Sequence, residues 1–169
     1  MTDETAAVVP LHGEPRWLDA DQQQAWRSFL LGTTLILDRL DEDLRRDHSL
    51  SAVEYEILVR LSESDGQLRM ARLAAALAHS RSRVTHTVKR MEASGLVQRA
   101  GSPDDGRGVI CQLTDAGAAM LRTAAPSHVE TVRQSLIDLV DPDDLMALSR
   151  VMNAVCDQLI ADHPERELR

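Results

Sequence analysis

Residues 77–117 read LAHSRSRVTHTVKRMEASGLVQRAGSPDDGRGVICQLTDAG and decide the fold of this chain. Within them Val84, Val88 and Met91 follow a helical spacing, which predicts a helix that packs one face on a core. The other face is polar and mostly basic. It carries the side-chain types that can meet phosphates and base edges in a DNA groove, namely Arg81, Ser82, Arg83, Thr85, His86, Lys89 and Arg90.

Boundary signals stand at both ends of this helix. Ser80 is a good N-cap, and a capped helix N-terminus can itself bind a phosphate. Gly95 suits the position that follows a helix. Residues 96–100 and 109–113 are short enough to be paired strands, and Asp105-Gly106 is a turn signal between them. The segment therefore predicts a helix-turn-helix with an appended hairpin, or wing, which is a DNA-binding arrangement.

The overall charge at first argues against nucleic acid, because the net charge is −8. The charge is unevenly distributed along the chain. Residues 67–110 carry eight Lys or Arg and three Asp or Glu, a local +5, and the remainder carries −13. A basic patch on an acidic body binds phosphate locally and repels it elsewhere, so the charge pattern is compatible with DNA binding.

Several classes of protein are excluded by composition. The chain of 169 residues has no apolar run of about 18 residues and no signal-peptide pattern, so we expect one cytoplasmic domain without membrane contact. Cys111 and Cys156 lie far apart, and no His or Cys pair has the spacing of metal ligands, so we expect no metal and no cofactor. Lys89 is the only lysine among many arginines and alanines, a bias that suggests a bacterial genome rich in GC.

Helical patterns surround the central segment. A capping box, Ser51 to Glu54, opens a helix before it. Pro126 interrupts the first apolar series after it and is predicted to kink or break that helix. Asp141-Pro142 then begins a last helix. The predicted organisation is one domain made of a tail (1–16), a long helix (17–47), a winged helix-turn-helix lobe (48–113), C-terminal helices (114–163) and a second tail (164–169).

The last helix carries an apolar seam in steps of three and four residues. Such a heptad pattern is typical of a helix that pairs with another helix. Together with the long first helix it predicts a dimer interface, and a core stripe within one chain is the alternative. The seam consists of Leu145, Leu148, Met152, Val155 and Leu159.

From Leu50 to Gly117 the sequence resembles the multiple antibiotic resistance regulator (MarR) family of winged-helix transcription factors. The resemblance rests on LSAVEYEILVRLSE at residues 50–63, LRMARLAAALAHSRSRVTHTVKRMEASGLV at 68–97 and PDDGRGVICQLTDAG at 103–117. It implies a mainly helical fold with a small β-hairpin wing, in which terminal helices form the dimer. It also implies a transcriptional regulator that has no enzymatic activity.

The resemblance assigns separate roles to the residues of the helix and the wing. The residues that would face bases and nearby phosphates are Ser80, Arg81, Arg83, Thr85 and His86, while Lys89 and Arg90 would lie nearer the DNA backbone. Arg107 would enter the minor groove, where narrow A·T-rich stretches hold a strong negative potential. Asp105 would brace the wing by pairing with an arginine. His86 stands where the family often has Arg, and Gly106 replaces a frequent basic residue.

Family members are homodimers, and many repressors among them release DNA when a small aromatic or phenolic compound binds. The two-fold symmetry implies a pseudo-palindromic double-stranded operator with half-sites about 10 bp apart. Five side chains are candidates for the effector cleft, although packing in the core or in the dimer is the alternative reading for all of them. They are Trp17, Trp26, Phe29, His48 and Tyr55.

Three other functions are alternatives to a DNA-binding regulator of this kind. The chain has no glycine-rich phosphate loop and no nucleophile elbow, so an enzyme is not expected. A winged-helix module for protein–protein contact would favour neutral or acidic residues on the polar helix face. A redox-responsive regulator would use Cys111 or Cys156, and small apolar packing is the alternative role for both cysteines.

Overall fold

A computed structural model of the chain describes residues 15–101 and 108–161. The chain divides after Thr34 into two compact units. The elements confirm the prediction of a mainly helical fold with a small antiparallel sheet. They are α1 (Ala20–His48), α2 (Ala52–Ser62), β1 (Gln67–Arg69), α3 (Met70–Ala76), α4 (Arg81–Ala93), β2 (Val97–Gly101), β3 (Val109–Leu113), α5 (Asp115–Ser135), a 3₁₀ turn (Ile137–Leu139) and α6 (Pro142–Ala161).

The first unit contains the start of α1, which a reciprocal pair of hydrogen bonds stabilises. The backbone N–H of Gln22 donates to the Asp19 carboxylate at 2.8 Å, and the Asp19 N–H donates to the Gln22 amide oxygen at 3.2 Å. One turn later Trp26 and Phe29 stack with ring centroids 5.8 Å apart. Trp26 is 51% exposed and Phe29 39% exposed, so both rings offer apolar surface to a partner.

The core of the second unit lies where α2, α3 and α4 meet the sheet. Ile57, Leu58 and Leu61 of α2 are fully buried, as is Leu73 of α3. From α4 the core takes one stripe of side chains, and each strand of the hairpin adds one buried residue. These further residues are Val84, Val88, Met91, Val97 and Cys111. The predicted core face of α4 is confirmed.

A capping box begins α2, as the sequence predicts. The Ser51 hydroxyl accepts the Glu54 N–H at 3.3 Å, and the Glu54 carboxylate accepts the Ser51 N–H at 2.9 Å. The same helix start is tied to α1, because Ala52 N–H donates to the Asp41 carboxylate at 2.8 Å. Three of the N–H groups that a helix start leaves without a helical acceptor are thus bonded.

The sheet has the strand order β1-β3-β2, and all pairs are antiparallel. The register places Gln98 and Gln67 on either side of Gln112. Their side-chain amides form a row across the three strands. Gln98 Nε2 donates to Gln112 Oε1 at 3.0 Å, and Gln112 Nε2 donates to Gln67 Oε1 at 3.2 Å. We call this row the glutamine ladder.

The sequence predicts a kink or a break at Pro126, and helix α5 runs through this proline without a break. A proline removes one backbone donor and crowds the carbonyl four residues earlier, and side chains in the neighbouring turns form hydrogen bonds that support the helix. Ser127 Oγ donates to Ala124 O at 3.1 Å, and Thr131 Oγ1 donates to the Asp43 carboxylate of α1 at 2.9 Å. Ala124 and Thr131 are buried, so packing and side-chain bonds hold the helix through the proline.

The start of α5 packs against the turn that joins α4 to β2. A Cβ at Gly117 would come within 2.1 Å of the Leu96 carbonyl oxygen, so only glycine fits there. Thr114 caps the helix by accepting the Gly117 N–H at 3.0 Å, and its hydroxyl lies 2.7 Å from Gly95 O and 2.9 Å from Leu96 O. This contact fixes the C-terminal helices to the lobe.

The turns that end α3 and α4 share one geometry but differ in residue. After α4, Gly95 has φ 74°, and the N–H of Leu96 donates to Met91 O at 3.0 Å. After α3, the corresponding residue is Ala78 with φ 51°, and the N–H of His79 donates to Ala74 O at 3.1 Å. Both are Schellman motifs, in which the left-handed position favours glycine. Ala78 therefore carries a backbone cost that Gly95 avoids.

We expect Ala78→Gly to raise the free energy of unfolding by about 0.5–1 kcal/mol, because relief of the left-handed strain exceeds the extra entropy of the unfolded chain. Gly95→Ala is the matched control. A Cβ there meets no atom within 4 Å, so the variant should lose about 1 kcal/mol through backbone conformation alone. Urea denaturation measures both changes. A less stable Ala78→Gly variant would contradict the described turn.

Candidate nucleic-acid interface

Helix α4 divides its surface between the core and solvent. Val84, Thr87, Val88 and Met91 are buried, and the polar residues between them are exposed. With about 100° of rotation per residue, the direction opposite the buried stripe falls near Ser82, His86 and Lys89. Thr85 lies beside this line, and Arg81 and Arg83 lie on its two flanks. A line of exposed polar and cationic side chains therefore follows the outer face of the helix.

The N-terminus of α4 is capped as the sequence predicts. Ser80 has extended backbone angles, and its hydroxyl accepts the Arg83 N–H at 3.3 Å. The first turn contains Arg81 and Arg83 and no acidic residue. Thr85 Oγ1 donates to Arg81 O at 2.8 Å, which leaves the lone pairs of the hydroxyl directed away from the helix. The positive end of the helix dipole and two guanidinium groups thus lie together, a combination that attracts phosphate.

One flank of α4 contacts α2 through an ion pair. Arg90 Nη2 lies 3.1 Å from Glu54 Oε1, and the Glu54 side chain is only 15% exposed. Burial by itself raises the pKa of the Glu54 carboxyl, but hydrogen bonds from Ser51 and Arg90 outweigh burial and hold this pKa below its usual value. Glu54 therefore carries a negative charge at neutral pH and holds Arg90 against the lobe.

The opposite flank contacts the wing. Glu92 accepts the backbone N–H of Arg99 at 2.9 Å and the Arg99 guanidinium at 2.9 and 2.7 Å. These hydrogen bonds from Arg99 lower the pKa of the Glu92 carboxyl. Arg99 lies in β2, the strand that leads into the wing. The end of α4 and the base of the wing are thereby joined through one carboxylate.

The tip of the wing falls in residues 102–107, which lie outside the described residues. The predictions for Asp105, Gly106 and Arg107 concern that segment. The strands that lead to it are described. Val109–Leu113 matches its predicted bounds, and the partner strand begins one residue later than predicted, at Val97.

A cleft of about 660 Å³ lies between the second part of α1, the start of α2 and α4. It combines apolar walls with both signs of charge. Asp41 in its wall pairs with Arg45 and accepts the Ala52 N–H. Sequence reasoning missed the α1 residues of the cleft, since they meet α4 only in the folded chain. The lining residues are Leu37, Asp38, Asp41, Arg45, Ser51, Val53, Ser82, Arg83, His86, Thr87 and Arg90.

The candidate effector residues lie in different surroundings. Trp17 is 83% exposed in the first unit, which also holds the stacked pair Trp26 and Phe29. Tyr55 is buried in the core and contacts His128 with ring centroids 4.3 Å apart. His48 Nε2 lies 2.7 Å from the Ser127 hydroxyl. His48 and Tyr55 both contact α5 and do not line the 660 Å³ cleft.

The two cysteines differ in accessibility. Cys111 is fully buried in β3, and burial raises the pKa of its thiol to about 12, so very little reactive thiolate exists at neutral pH. Cys156 in α6 is exposed. In the described ranges no three His, Cys, Asp or Glu side chains form a group that could hold a metal ion. No described helix is long and apolar enough to span a membrane.

Comparison with known proteins decides the family. A MarR family sequence model matches residues 48–108. The structure is similar to Sco3205, a MarR family transcriptional regulator from Streptomyces coelicolor solved in complex with DNA. The two are 42% identical, with a TM-score of 0.84, over 88% of this chain and 93% of that one. This chain belongs to the MarR family.

Two further relatives agree with this assignment. The MarR family regulator AbsC from Streptomyces coelicolor is 40% identical with a TM-score of 0.83, over 87% of this chain and 99% of that one. The transcriptional regulator PecS from Dickeya dadantii is 29% identical, over 72% of this chain and 83% of its own length. The MarR-family chain is a DNA-binding transcriptional regulator, and the prediction that it is not an enzyme is confirmed.

Proposed function

We propose that this chain is a homodimeric repressor that binds a pseudo-palindromic DNA operator and releases it when a small aromatic compound binds. The observation that carries the DNA part is the outer face of α4. Its cations and hydroxyls are exposed, while the opposite face of the same helix is buried in the core. A helix held in this way can enter the major groove and present side chains to base edges.

The proposed base and phosphate contacts differ along α4. Ser82, His86 and Lys89 lie at the centre of the outer face, where a helix in the major groove is nearest the base edges. Arg81 and Arg83 at the first turn can make charge-assisted hydrogen bonds to phosphates or a bidentate contact to guanine. Ser80 and Thr85 add hydroxyls at the same end of the helix. Arg107 at the wing remains the proposed minor-groove contact, with Asp105 as its brace.

The only lysine gives a direct test of the DNA face. Reductive methylation of Lys89, followed by mass spectrometry, should be strongly suppressed when a duplex selected by the protein is bound. The N-terminal amine in the same sample is the internal control. Unchanged methylation of Lys89 in the complex would exclude it from the interface.

Two substitutions test the proposed arginine contacts. Arg83→Ala should relax the preference of the protein at one base position, at a cost of about 1–3 kcal/mol. Arg107→Ala should lower the slope of log affinity against log salt by about one.

The homodimer proposal rests on apolar surface that one chain leaves uncovered. Val151 and Leu159 of α6 are 59% exposed, and Val155 is 42% exposed. They share a face with Leu148 and Met152 at helical spacing, as in a helix that packs on a second helix. Exposed seams of this kind mark interaction surfaces, and a second copy is the partner that two-fold operators require.

We expect sedimentation equilibrium at micromolar concentration to show a dimer. Val155→Arg should shift the protein toward monomer, because it places a charge in the apolar seam. Met146→Lys is the matched control, since Met146 is 57% exposed but lies on a different face of the same helix. A monomeric parent protein, or equal association of both variants, would refute the proposed interface.

The effector proposal is supported by the 660 Å³ cleft beside α4. Its wall offers Leu37 and Val53 to an aromatic ring and Arg45 and Arg83 to an anionic group. Because Arg83 is also a proposed DNA contact, a ligand in this cleft and DNA would compete for it. A regulator of the same fold, the organohalide-sensing RdhR-CbdbA1625, is solved with 2,4-dichlorophenol bound; it is 18% identical with a TM-score of 0.73.

We expect 2,4-dichlorophenol or a simple aromatic acid to raise the melting temperature of the protein, because a ligand at 100 times its Kd stabilises the folded state by about 2.7 kcal/mol. The same compound should weaken DNA binding, because the ligand and DNA would compete for Arg83. Arg45→Gln should reduce the shift by removing a cation of the cleft. Arg150→Gln, on α6, is the matched control. An equal shift in both variants would place the ligand elsewhere, and no shift with any of these compounds would argue against aromatic control.

A further inference from the structure

Two carboxylates hold helix α4 from opposite flanks. Glu54 contacts Arg90 on the side of α2, and Glu92 contacts Arg99 on the side of the wing. Residues 90 and 92 are separated by about 160° around the helix axis. Both contacts lie in the C-terminal half of the helix, whereas the proposed base-contacting residues lie in the N-terminal half and along the outer face.

The Glu54 contact joins α4 to the start of another helix. The Glu54 carboxylate already accepts the Ser51 N–H at 2.9 Å and the Ser51 hydroxyl at 2.8 Å, so its position is fixed before Arg90 is considered. Arg90 therefore meets an acceptor that cannot follow it if α4 moves. The hydrogen bond between Arg90 and Glu54 therefore restrains the distance between α4 and α2.

The contact between Glu92 and Arg99 has more hydrogen bonds than the contact between Glu54 and Arg90. Three hydrogen bonds converge on one carboxylate, and one of them comes from the Arg99 backbone, so the position of the strand itself is set. The Arg99 and Glu92 side chains are 33% and 32% exposed, which limits screening by water. Through this contact the path of β2 toward the wing depends on the end of α4.

We propose that Arg90 and Arg99 are positioning residues, and that Glu54 and Glu92 use them to set the tilt of α4 and its angle to the wing. This inference rests on the proposed DNA face. It removes Arg90 from the expected set of phosphate contacts, where the family resemblance places this residue near the DNA backbone. The remaining contacts on α4 belong to the outer face and the first turn.

The length of the helix explains why such restraint matters. Thirteen residues span about 20 Å, so a rotation of roughly 5° about one end moves the other end by nearly 2 Å. A hydrogen bond to a base edge keeps its strength over about 0.5 Å. Small tilts would therefore break base contacts without unfolding the lobe.

The direction in which two substitutions change DNA affinity separates positioning from an electrostatic effect on DNA. Glu54→Gln and Glu92→Gln each remove a negative charge beside the DNA face, and electrostatics alone would tighten binding to the polyanion. If Glu54 and Glu92 position α4, their loss should instead weaken DNA binding. We expect each variant to bind the duplex selected by the parent protein about tenfold more weakly. Glu56→Gln, which breaks the Glu56–Arg60 pair within α2, is the matched control and should bind like the parent or slightly more tightly.

The salt dependence of binding supplies a second readout, which separates positioning from direct contact with phosphate. Arg90→Gln and Arg99→Gln should weaken binding but keep the slope of log affinity against log salt, whereas Lys89→Gln should lower it by about 0.9. Adding Glu92→Gln to Arg99→Gln should cost little more, since the pair is already broken. All measurements are made well below the melting temperature of each variant, checked by circular dichroism.

The outcomes distinguish this inference from the proposed function. Equal or tighter binding by Glu54→Gln and Glu92→Gln, or a slope lowered by about 0.9 in the arginine variants, would overturn the positioning roles and leave DNA binding by α4 intact. If the parent protein selects no duplex from a random pool, the proposed function itself fails. Weaker binding with an unchanged slope supports the inference.

Discussion

Burial of one face of α4 is the interaction on which the rest of the structure depends. Val84 and Val88 are fully buried and Met91 is 1% exposed, so this helix belongs to the core as much as to the surface. A side chain in a close-packed core cannot shift without disturbing its neighbours. The polar face on the other side of the helix is therefore presented by a rigid support, and the α2 start, the hairpin and α5 are all placed relative to it.

Many charged side chains of this acidic chain form ion pairs with one another. Asp43 holds Arg39 and Arg46, Asp41 holds Arg45, and further pairs fix α2, α4 and the wing. On α4, Arg81, Arg83 and Lys89 are in no such ion pair with another described residue, whereas Arg90 is. The cations of α4 that are proposed to bind DNA therefore lie on its first turn and outer face, and the acidic remainder of the chain disfavours other orientations on a polyanion. A net negative charge and local DNA affinity are compatible for this reason.

Local sequence signals predict where several helices begin and end. The cap at Ser80, the box from Ser51 to Glu54 and the turn at Gly95 each depend on residues within four positions, so they could be read directly. The contacts that complete the site span much greater separations. Arg90 meets a carboxylate 36 positions earlier, and the cleft needs α1 beside α4. The continuity of α5 through Pro126 could not be predicted for the same reason, because a hydrogen bond that supports this helix joins Thr131 to Asp43, 88 positions earlier.

The glutamine ladder limits how the wing can change over evolution. Its middle residue, Gln112, accepts from one neighbour and donates to the other, so it needs both halves of an amide. Replacement by Glu would keep the acceptor and lose the donor, and replacement by Lys would do the reverse. The outer two positions each use only one half and can drift more freely. The three glutamines therefore carry unequal constraint, and Gln112 on the central strand is the one of the three that should vary least.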